Sequence, residues 1–221
     1  MAISRISSAT NNGTTVTIGT HAANDLIILC AYNDGANTLP TLPSGWFGLI
    51  GTSGSSTAVT IGWKLAASAS ETSGTWTNAD GLIAVVYRSA TGKMNIPKVL
   101  SSNSATSATQ TFGAQISGTF DENASNLWLA AFITNRNSSN ALDTTVPTGF
   151  SNVTSTTDSS TWQIALHDTN ATRTTAWTST NITVTTSNFY RTVTMALLEI
   201  AHPSTSSSSY RPVNIRGGAD Q

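Results

Sequence analysis

The sequence predicts an all-β protein: an antiparallel β-sandwich built from an internally duplicated unit of about 100 residues. Three observations predict it. The first is composition. Only 10% of the 221 residues are charged, against about 25% in an ordinary globular domain, while 30 Ser, 38 Thr and 18 Asn supply the polarity. Solvent-facing helices need Glu, Lys and Ala, whereas Thr, Val, Ile and Trp suit a pleated surface. The second is periodicity: apolar residues alternate over short windows, and Gly, Asn, Asp, Ser and Pro fill the gaps between them. The third is a series of landmarks that recurs about 100 residues later.

In chain order, Thr14 to Gly19 alternates and reads as a half-buried strand. Leu26 to Tyr32 is apolar at successive positions, as in a strand covered on both faces. Ala58 to Leu65 alternates and places Val59, Ile61, Trp63 and Leu65 on one face, toward a core. Leu82 to Tyr87 is again continuous. The second half repeats the order with Leu127 to Ile133, Trp162 to Leu166, Ile182 to Thr185 and Met195 to Ile200.

The matched landmarks are Asn24-Asp25 with Ser125-Asn126, Pro43-Ser44-Gly45-Trp46 with Pro147-Thr148-Gly149-Phe150, Trp63 with Trp162, and Trp76 with Trp177. This gives one sandwich over residues 1–201, with halves at about 14–90 and 107–200. Lys93 to Leu100 between them is too apolar for a flexible tether, which favours one body over two. Strands apolar on both faces need a second layer or a neighbouring copy, so a homo-oligomer is expected. Residues 202–221 form a Ser-rich C-terminal arm. In it Tyr210, Arg211, Val213, Ile215 and Arg216 are the candidate partner-binding residues, because Tyr210, Val213 and Ile215 are an odd choice for solvent.

Chemistry is sparse. A net charge of −1 and a pI near 6.2 give no electrostatic footprint for nucleic acid or an anionic membrane. The longest apolar runs fall far short of the ~20 residues that cross a bilayer as a helix. The N-terminus lacks the apolar stretch of a secretory signal. Cys30, the single cysteine, reads as a small core residue. His21, His167 and His202 have no zinc-site spacing, and no cofactor is expected. His167-Asp168, adjacent on a strand end, should diverge and read as a solvated turn rather than a dyad. A glycosidase would need two facing carboxylates, and Asp121-Glu122 is the nearest candidate pair, so no enzyme is expected. Matched tryptophans read as repeated core. A carbohydrate site would have to come from the loops Asn33 to Asn37 and Asn135 to Asn140.

The order of Asn24-Asp25 before an apolar strand, Pro43-Ser44-Gly45-Trp46, Trp63-Lys64, Ser73-Gly74-Thr75-Trp76 and Leu82 to Arg88 resembles the duplicated β-sandwich of tailed-bacteriophage structural proteins. The resemblance spans about residues 14 to 200 and implies a jelly-roll-like capsid decoration (cement) protein. Such a protein is made in the host cytoplasm, is carried on the virion, is often trimeric and binds across major capsid protein subunits without catalysis. Met1 to Thr10 and His202 to Gln221 would then be arms for shell contacts. The alternative is a tail, baseplate or surface adhesin that binds carbohydrate.

Overall fold

The computed structural model describes residues 3–90, 94–113, 128–171 and 179–199, and among them every regular element is a β-strand. The first five strands are β1 (Ile3–Asn12), β2 (Leu26–Asp34), β3 (Phe47–Gly54), β4 (Thr57–Leu65) and β5 (Gly81–Ser89). The second five are β6 (Lys98–Phe112), β7 (Trp128–Asn135), β8 (Ser151–Thr157), β9 (Gln163–Asp168) and β10 (Thr180–Leu197). They form two antiparallel five-stranded sheets, ordered β1-β5-β2-β4-β3 and β6-β10-β7-β9-β8.

The second order is the first with each strand five places later. A bulge also recurs: Leu49 is the extra residue in β3 against β4, and Val153 the extra residue in β8 against β9. β1 lies over β8 and β3 over β6, as a half-turn about an axis along the strands would place them. Each sheet comes from one contiguous half of the chain, and the described chain passes between sheets once, from β5 to β6. A jelly roll interleaves its strands between two sheets, so the wiring differs from that expectation.

Alternation inside the continuous apolar runs explains the layers. Leu26, Ile28, Cys30 and Tyr32 of β2 point between the sheets, where Ala130, Phe132, Leu166, Val193 and Met195 of the other sheet meet them. Ile27, Leu29 and Ala31 point the other way and are covered by Val16, Ile18, Trp46 and Trp76 from the chain's own connections. The outer face of the second sheet carries Leu129, Ala131 and Ile133. It is covered by Leu142 and by Phe112, Ile182 and Val184, from ends of β6 and β10 that fold back over it. Thr111 marks that return, its carbonyl accepting from the Thr192 hydroxyl at 2.6 Å and its N–H donating to the Tyr190 oxygen at 3.1 Å. The second layer is therefore supplied by the chain itself, which removes the covered-face argument for a neighbouring copy.

Other expectations change in detail. Thr14 to Gly19 joins no ladder; it crosses the outer face, and its alternation buries Val16 and Ile18 there. Residues 3–10 of the expected arm Met1 to Thr10 belong instead to edge strand β1, paired to β5. Ile28 pairs with Trp63 and Ala130 with Asp168 in equivalent ladders, so Asp168, not Trp162, takes the place of Trp63. Trp63 is only partly buried and Leu65 is 45% exposed, because β4 runs to the rim of the sheet, whereas Val59 and Ile61 are core as expected. Trp177, the C-terminal arm and Asp121-Glu122 lie outside the described residues.

Candidate functional site

β2 and β7 end, and β4 and β9 begin, at the same end of the two sheets, so the connections that follow β2 and β7 are brought together there. The two Asn-rich loops meet: Arg136 Nε lies 3.1 Å from Asp34 Oδ1, and Arg136 Nη1 donates to the Ser55 carbonyl at 3.2 Å. Asp34 also accepts from the Tyr32 hydroxyl at 3.0 Å, and its own N–H donates to Asp80. Burial, followed by the Asp34 charge, pushes the Tyr32 hydroxyl far above its ordinary pKa. Beside Arg136 is a cleft of about 420 Å³ lined by Asn137, Ser160, Thr161 and Asn188.

Most polar groups of that cleft are already engaged. The Ser160 and Thr161 hydroxyls donate to Asp158, which also accepts the N–H groups of Ser160, Thr161 and Trp162. Asp158 loses some hydration to burial, but these hydrogen bonds win and hold its carboxyl far below the usual range. Asn188 donates to the Arg136 carbonyl, and Asn137 accepts from Ser139 N–H. Asn140 bonds Asn135, Thr185 and Thr186, and Asn33 bonds the Thr38 carbonyl. The Asn residues therefore build their own loops first. This end also holds Arg191, 4% exposed, which donates to Thr52, Thr57 and the Gly54 carbonyl across the sheets.

Four further carboxylates are spent on structure. Asp25 forms a two-point pair with Arg88 at 2.7 and 2.8 Å and caps Ala22 N–H. Glu71 pairs with Lys64 at 2.7 Å, and Glu199 accepts from Ser89 and Ala90. Asp168 is fully buried with Arg5 at 2.7 Å and Tyr87 at 3.2 Å. His167 is also fully buried, so neither belongs to a solvated turn. The two do diverge, Asp168 to the space between the sheets and His167 to the outer face. His21 donates from Nδ1 to the Gly19 carbonyl and accepts Glu71 N–H on Nε2. The Cys30 thiol is buried, which raises its pKa far above the ordinary value and leaves it unreactive. No cluster of three metal-ligating side chains occurs among the described residues.

Trp46, Trp76, Trp128 and Trp162 are all buried, so none offers a stacking face to a sugar. Sequence reasoning missed Phe47, the one exposed aromatic among the described residues, which is 60% exposed and stacks on Trp63 with ring centroids 5.1 Å apart. It begins edge strand β3, beside an apolar groove of about 370 Å³ lined by Leu39, Pro40, Leu42, Leu49 and Ile50. A signal existed in the sequence: no charged residue occurs between Asp34 and Lys64. Comparison with protein families, with curated proteins and with solved structures finds no match to this chain.

Proposed function

We propose that the protein is a non-enzymatic virion structural protein, a capsid decoration protein that stabilises a phage head by binding across major capsid protein subunits. The observation that carries the non-catalytic part is the engagement of seven of the eight described carboxylates, all but the exposed Asp143: Asp25, Asp34, Glu71, Asp80, Asp158, Asp168 and Glu199 each hold a structural partner. A surface with little charge and an open apolar edge suits recognition by buried area. The equal strand orders and the matching bulges at Leu49 and Val153 support reading the halves as copies of one unit. Quantitative mass spectrometry of gradient-purified particles tests the proposal. A copy number near that of the major shell protein, or a simple fraction of it, is expected; absence from particles would sink it.

The Arg136–Asp34 contact that joins the two Asn-rich loops beside the Arg136 cleft favours a second reading, a tail or surface adhesin that binds carbohydrate. It requires saturable glycan binding that is lost in Arg136→Ala, together with a very low copy number on particles.

A further inference from the structure

We propose that the free edge of β3 is a strand-acceptor site, and that its occupant is the segment 210–216 from the C-terminal arm of a second copy of this chain. β3 (Phe47–Gly54) is the last strand of its sheet, and among the described residues only β4 pairs with it. An edge strand presents a row of unpaired N–H and C=O groups, which proteins ordinarily protect with charge, proline or a covering segment. β3 has no charged residue or proline, and the uncharged stretch runs from Gly35 to Trp63. Its counterpart β8 reads Ser-Asn-Val-Thr-Ser-Thr-Thr and carries no exposed large apolar residue. On β3, by contrast, Phe47 is 60% exposed, and Leu39 (42% exposed) lines the groove beside the strand.

The arm fits this edge in pattern and reach. Val213 and Ile215 are two residues apart, so an added strand would send both to one face, with Tyr210 leading and Asn214 and Arg216 facing away. Ten residues, 200–209, precede it and span up to ~33 Å. A chain's own arm leaves from Glu199, which bonds Ser89 at the end of the sheets where β3 begins, so to pair antiparallel it would first have to run the length of β3, about 26 Å, and spend most of its reach. All strand pairs among the described residues are antiparallel, and a second copy supplies the arm in that sense without that detour. Reciprocal exchange closes a dimer, and head-to-tail exchange closes a ring.

Complementation tests this. The full chain should sediment as an oligomer at micromolar concentration. A chain ending at residue 201 keeps the edge but lacks the arm; Leu39→Lys/Phe47→Lys keeps the arm but blocks the edge, as Phe47→Lys alone should in part. Each should sediment as a monomer, with circular dichroism and Tm close to the parent because the changed side chains are exposed. Mixed in equal amounts, the two should form a heterodimer in which one arm fills one edge. A monomeric full chain, an oligomer that survives either change, or a mixture that fails to associate would each overturn the proposal.

Discussion

His167 is fully buried with neither ring nitrogen hydrogen-bonded. Its neighbour across the ladder is Ala131, and beyond that lies Thr194, whose hydroxyl is also unpartnered. Burial lowers the imidazole pKa from 6.5 to about 4, because the charged form has lost its water. Between these values the unfolded chain binds the proton and the folded chain does not, so stability falls as pH drops from 6.5 toward 4 and levels off below. From pH 7 to pH 5 the loss is about 2 kcal/mol. Urea melts of the parent should show that slope, and His167→Leu should remove most of it; an unchanged slope would mean that other groups carry the acid sensitivity. Gly81 is a steric counterpart. The Trp162 ring lies against its Cα, and an added Cβ would overlap that ring. Gly81→Ala should cost about 1–3 kcal/mol, and Trp162→Phe in the same chain should recover part of it, as a double-mutant cycle will show.

The β3–β4 hairpin turns on Ser55 and Ser56, both with positive φ (53° and 57°). That is the geometry of a two-residue turn that favours Asn-Gly, and serine is strained in it. Ser55→Asn/Ser56→Gly should raise stability by about 1 kcal/mol in thermal or urea melts, since Arg136 contacts only the Ser55 carbonyl, which any residue provides. The strands that apolar runs or alternation announced, β2, β4, β5, β7, β9 and the two ends of β10 (Ile182 to Thr185 and from Met195), are the inner strands of the two sheets. The four edge strands, β1, β3, β6 and β8, did not stand out. Ser-Ala-Thr-Asn-Asn in β1 and Ser-Asn-Val-Thr-Ser-Thr-Thr in β8 face a neighbour on one side only, so half-exposed positions are polar and no alternation survives. Matching by residue type failed for the same kind of reason at Trp63 and Trp162: tryptophan fills whichever gap the core leaves, whereas ladder register fixes true equivalence. The Asn-rich loops could be named from sequence as a candidate site. That Arg136 and Asp34 join them, and that most of their amides are used internally, depends on contacts about 100 residues apart.

Across the whole molecule, each half reaches into the other with one arginine, Arg5 partly buried and Arg191 fully so. Arg5 of the first sheet reaches Asp168 of the second, and Arg191 of the second reaches Thr52, Gly54 and Thr57 of the first, at the opposite end. If the halves descend from one unit, a symmetric pairing of two first halves would lack both arrangements: Trp63 takes the place of Asp168, and no arginine would reach the Gly54 carbonyl. A buried arginine left without its acceptors costs several kcal/mol. The halves are thus complementary rather than interchangeable. The inner core also draws its side chains from both sheets, so a single half would expose a face of Leu26, Ile28, Tyr32, Ile83 and Val85 to water. Expressed separately, chains 1–92 and 93–221 should each lack a cooperative unfolding transition; mixed during refolding, they should restore one. Asp168→Asn in the second piece should weaken the reassembly by roughly 10²-fold or more, as expected for breaking a buried pair. A half that folds cooperatively by itself as a monomer would mean that the inner core is not the shared element that holds the sheets together.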